Sequence, residues 1–62
     1  MANFYYVIIT FLNGEKTTLE GQLNWLSGPI PGAHKKLKKL LKILQMEKDT
    51  HWIKDFSVGY ES

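Results

Sequence analysis

His34, His51, Ser27 and Asp49 are the residues of this 62-residue chain whose types fit metal binding or nucleophilic catalysis. The two histidines stand seventeen positions apart with no cysteine and no local carboxylate at zinc-ligand spacing. A metal centre would therefore need ligands assembled by tertiary structure alone. Ser27, His51 and Asp49 contain the types of a nucleophilic triad, but no strained turn presents the serine and no spacing aims a base at it. Ser27-Gly28-Pro29 and Pro31-Gly32-Ala33 lack the longer glycine-lysine pattern of a phosphate loop. The carboxylates are few and scattered, with Glu15 beside a turn and Glu61 near the end. The expectation is a non-enzyme with no catalytic residues, no metal and no cofactor, in a chain too small to build a substrate pocket easily.

Two other groups of residues carry a stronger signal. Lys35, Lys36, Lys38, Lys39 and Lys42, followed by Lys48, concentrate positive charge in one stretch of a chain whose net charge is only +2. Such a row either solvates a helix face or meets an anionic partner, nucleic-acid phosphate or an acidic protein surface. Ile43 and Met46 fall among these lysines, which solvation alone does not require. The chain contains no arginine, so the bidentate contact that most often reads guanine is missing and a nucleic-acid partner would be bound with little sequence selectivity. The second group is the stripe Tyr5, Val7, Ile9 and Phe11, four large apolar side chains at period two.

The elements that must position these residues can be read from periodicity. Residues 3 to 12 form a strand that is apolar on both faces, as a central strand is. Residues 15 to 23 alternate Thr17, Leu19, Gly21 and Leu23 with Lys16, Thr18, Glu20 and Gln22, the pattern of a half-buried strand. Asn13-Gly14 between them matches a two-residue type I′ turn. That turn pairs Thr10 with Thr17, Ile8 with Leu19, Tyr6 with Gly21 and Phe4 with Leu23, and leaves room at Gly21 for the Tyr6 ring. It puts Tyr5, Val7, Ile9 and Phe11 on the opposite, open face.

Residues 24 to 32 are a connection broken by two prolines, with Pro31 suited to the first position of a helix. Ala33, Leu37, Leu40, Leu41 and Leu44 then repeat at helical spacing to about Glu47. Lys35 and Lys36 fall in the first turns, where the helix dipole disfavours positive charge. From Asp55 to Glu61 alternation returns, with Phe56, Val58 and Tyr60 on one side. Trp52 and Ile53 precede this strand and can seal the end of the core.

The expected fold is a single α+β domain over residues 1–62. It is β-β-α-β, with a three-stranded, mainly antiparallel sheet in the order 2-1-3 and the helix on one face. A domain this small buries only about 60% of its unfolded surface and has no disulfide to support it. The longest apolar run is too short for a membrane span, and no signal peptide is visible, so a cytoplasmic protein without a membrane partner is expected. The function these features suggest is protein binding: docking on a larger protein, or dimerisation, through Tyr5, Val7, Ile9 and Phe11. A small chain opening on methionine with no fused effector has the style of a phage or mobile-element accessory protein or inhibitor. The alternative is nucleic-acid binding through Lys35, Lys36, Lys38, Lys39 and Lys42, with Ile43 and Met46 beside them.

Overall fold

A computed structural model describes residues 3–62; Met1 and Ala2, included in the domain read from the sequence, lie outside the described residues. The strands are β1 (Phe4–Thr10), β2 (Lys16–Gln22), β3 (Asn24–Trp25), β4 (Gly28–Pro29) and β5 (Asp55–Glu61), with one helix, α1 (Ala33–Asp49). β1 lies between β2 and β5 and is antiparallel to both, so the sheet order is β2-β1-β5. This is the expected α+β architecture. The connection before the helix adds a hairpin of its own, β3 with β4, in which Asn24 pairs with Pro29 and Trp25 with Gly28.

The register differs from the sequence expectation by one residue. Thr10 pairs with Lys16, Ile8 with Thr18, Val7 with Leu19 and Tyr5 with Gly21. The loop has three residues, not two. The Gly14 N–H donates to the Phe11 carbonyl at 3.0 Å and the Phe11 N–H to the Glu15 carbonyl at 2.7 Å. Gly14 alone in the loop takes a positive φ, 89°, whereas a type I′ turn would require one at Asn13 also. This is the type I turn followed by a left-handed bulge glycine. Asn13 stabilises it differently from the expectation: its Oδ1 accepts the Glu15 N–H at 3.0 Å.

A one-residue slip exchanges the faces of a strand. The helix-covered face of β1 therefore carries Tyr5, Val7 and Ile9, not Phe4, Tyr6 and Ile8. Val7 is fully buried and Ile9 8% exposed, and with Leu23, Leu37, Leu44 and Ile53 they form the core. Tyr5, Ala33, Leu40, Leu41 and Phe56 pack around it. Facing β1 on this side are Leu19 and Thr17 on β2 and Val58 and Phe56 on β5, the sides expected for those two strands. The tyrosine ring that lies over Gly21 belongs to Tyr5, and a Cβ at Gly21 would overlap it.

The helix begins later than expected. Ile30-Pro31-Gly32-Ala33 forms a turn closed by the Ala33 N–H on the Ile30 carbonyl at 3.1 Å. Gly32, at φ 78° and ψ −5°, holds the position of a type II turn that requires positive φ and caps the helix. Pro31 thus precedes the helix as the second turn residue. At the other end, His51 takes the left-handed conformation usually given to glycine, with φ 64°. The Trp52 N–H reaches the Glu47 carbonyl at 2.8 Å and the His51 N–H the Lys48 carbonyl at 3.1 Å, the paired bonds of a Schellman cap.

Candidate functional site: the open sheet face

Helix α1 covers one side of the sheet, and the other side has no covering layer among the described residues. By register this open face is a grid of three columns. Down the centre run Phe4, Tyr6, Ile8 and Thr10. Beside them on β2 stand Gln22, Glu20, Thr18 and Lys16, and on β5 Glu61, Gly59, Ser57 and Asp55. Phe4 is 46% exposed, while Tyr6, Ile8 and Thr10 are half-buried by their neighbours. The Tyr6 ring lies over Gly59, where a Cβ would collide with it. This keeps the ring low across the sheet and the face nearly flat.

The β3–β4 hairpin extends the apolar column. Trp25 is 54% exposed and Leu26 fully exposed. A groove of about 430 Å³ is lined by Phe4, Gln22, Trp25 and Leu26, and a second of about 390 Å³ by Phe4, Tyr6, Glu20, Gln22 and Glu61. The two share Phe4 and Gln22, so Leu26, Trp25, Phe4 and Tyr6 form one continuous apolar strip with a polar rim. Aromatic residues set among polar ones, and free of any covering element, have the composition of a protein interface.

Of the stripe singled out in the sequence, Val7 and Ile9 are core and Tyr5 packs against it; Phe11, 39% exposed, lies past the end of β1. These four residues do not make an open surface. The register slip moves that role to Phe4, Tyr6 and Ile8. Trp25 and Leu26 adjoin Phe4 from a segment whose sequence shows only a proline-broken connection.

The lysine row sits as the helical periodicity requires. Lys35, Lys36, Lys38, Lys39 and Lys42 are all exposed on α1, with Ile43 45% and Met46 63% exposed beside them. No acidic residue occurs between Glu20 and Glu47. The ion pair seen among the described residues joins Lys48 Nζ to Asp55 Oδ1 at 3.0 Å, tying the end of the helix to the start of β5. That hydrogen bond, with one from the Phe56 N–H at 2.8 Å, holds the Asp55 carboxyl below its ordinary value of 3.8.

His34 and His51 stand at opposite ends of a 17-residue helix, which at 1.5 Å per residue separates them by about 25 Å. Among the described residues no group of three or more histidines, cysteines or carboxylates is placed to hold a metal ion, and no helix is long and apolar enough to cross a membrane. Comparisons with protein-family models, with curated proteins and with solved structures find no significant match to this chain.

Proposed function

We propose that this chain is a small non-catalytic protein-binding module that docks through the open sheet face, with Phe4, Tyr6 and Ile8 as the centre and Trp25 and Leu26 as the extension. The observation that carries this reading is the continuity of the apolar strip on the side of the sheet opposite the helix. β1 is apolar on both faces, and a strand of that kind belongs between two layers. The fold supplies one layer, and a partner supplies the other.

A second reading rests on a separate observation, the five exposed lysines with no acidic neighbour on their part of the helix. Lysine at the first turns costs helix stability. The row suits a phosphate backbone, which it would grip without reading bases. Full engagement of five phosphates on duplex DNA gives a slope of about −4.5 in log K against log salt.

Capture of partners from the source cell, compared between two variants, tests the choice. Ile8→Lys places a charge in the centre of the sheet face and should abolish capture, with the fold retained by circular dichroism. Changing Lys35, Lys38 and Lys42 together to Gln should slow association and reduce its salt dependence only. If the lysine variant loses all binding and folded Ile8→Lys binds normally, the sheet-face reading is wrong and the phosphate reading replaces it.

A further inference from the structure

We infer that the layer covering the open sheet face is a second copy of this chain, stacked about a two-fold axis parallel to β1. The inference rests on the docking reading above and names its occupant. Its basis is the arrangement of charge on the face.

Two two-fold axes bring such a face onto itself with the strands of the two copies in line. An axis running across the strands stacks β2 on β2 and β5 on β5 with the levels reversed. Phe4 then meets Thr10 of the second copy, and Glu61 meets Asp55, so an apolar residue faces a polar one and two carboxylates face each other. An axis parallel to β1 instead lays β2 on β5 at the same level. The central column then meets itself, Phe4 on Phe4, Tyr6 on Tyr6 and Ile8 on Ile8. In the outer columns Lys16 faces Asp55, Thr18 faces Ser57, Glu20 faces Gly59 and Gln22 faces Glu61. No level sets like charge against like. Glu20 approaches the second copy's Glu61 only along the diagonal, at the wet rim where screening is strong.

The Lys16–Asp55 contact occurs twice by symmetry. For it Asp55 must turn its second carboxylate oxygen to the open face while Oδ1 stays on Lys48 at the helix end and on the Phe56 N–H. The Tyr6 ring fills the space over Gly59, so the second copy's Glu20 meets that ring and its hydroxyl, and the Tyr6 rings lie flat enough for sheets to stack at the usual separation of about 10 Å.

Size agrees with this arrangement. The chain exposes 4899 Å², against about 4,100 Å² for a compact monomer of its mass. The excess, about 800 Å², reflects an elongated body and is similar in size to one partner's share of a standard interface. Its extents of 41 × 18 × 13 Å describe an elongated body, and a second copy laid along its length adds width without adding length.

Sedimentation of the full chain from about 1 to 500 µM tests the inference. A dimer is expected, and Ile8→Lys should make it monomeric while circular dichroism stays native. Lys16→Asp alone and Asp55→Lys alone should each weaken association about tenfold or more at low salt. Combined in one chain they restore opposite charges and should recover most of the loss, while Lys48→Gln, which removes only the internal partner of Asp55, should leave association unchanged. A monomer at the highest concentration overturns the second-copy inference but not docking on another protein. A dimer that persists in folded Ile8→Lys overturns the sheet-face reading and this inference together. A dimer broken by Ile8→Lys but not rescued by the charge exchange overturns the axis parallel to β1.

Discussion

The ring of Tyr6 lies over Gly59 on the open face of the sheet, and the ring of Tyr5 lies over Gly21 on the helix-covered face. Consecutive tyrosines of one central strand thus each cover a glycine on a different neighbouring strand. The two pairs differ in how far the ring can retreat. Tyr6 faces open space, whereas Tyr5 is packed against the core. Gly21→Ala should therefore cost about 1–3 kcal/mol, and Gly59→Ala under about 1 kcal/mol in the isolated subunit, because the outer ring can lift away. Chemical denaturation of the two variants in the Ile8→Lys background checks the difference, and equal costs would contradict it.

At the first hairpin, Gly14→Val should destabilise by more than about 1 kcal/mol, since a β-branched residue is strained at a φ of 89°. Asn13→Ala should cost about 0.5–1.5 kcal/mol through loss of the bond from the Glu15 N–H. The pairing of the two strands should survive in the alanine variant, because the bulge glycine remains. Thermal melts measure both changes.

His51 offers the opposite outcome. It holds a left-handed conformation at the end of α1 that glycine adopts without penalty. His51→Gly should stabilise the fold by about 0.5–1 kcal/mol, the relief of strain being partly offset by the greater freedom of glycine in the unfolded chain. A lower melting temperature would show that the imidazole makes a compensating contribution.

The Lys48–Asp55 pair predicts an acid effect with a defined sign. The Asp55 carboxyl is held below its ordinary value in the folded chain, so the pair contributes above about pH 3.8 and its contribution is lost as pH falls through the lower folded value. Melting of the wild type and of Lys48→Gln, compared between pH 5 and pH 2, should show a small difference that disappears at the acid end. Because Asp55 is exposed, the difference should also shrink in high salt.

Strand order, helix position and the inward sides of β2 and β5 were legible in the sequence because those segments alternate cleanly. β1 was not, because apolar residues occupy both its faces from Phe4 to Ile9 and either set can line a core. Its face was inferred from the length of one turn, and Asn-Gly serves a two-residue loop and a three-residue bulged loop equally well. A usable signal lay in the strand itself. Within β1 each set has three apolar or aromatic members, Tyr5, Val7 and Ile9 against Phe4, Tyr6 and Ile8, and only the polar Thr10 at the end of the even-numbered set separates them. The lysine row was legible because a helix of leucines at three- and four-residue intervals leaves only one place for it. The β3–β4 hairpin was hidden by its brevity, since two-residue strands carry no periodicity to detect.

Helix α1 and the open face occupy opposite sides of one sheet. Association through the sheet would leave both lysine rows exposed, pointing outward in opposite directions. A polyanion held by one row could not fold back onto the other without passing around the assembly, so the pair would connect two separate strands more readily than grip one twice. Were the rows to bind a polyanion, such a bivalent body would act as a cross-link, retained on closely spaced strands far beyond the affinity of a single row.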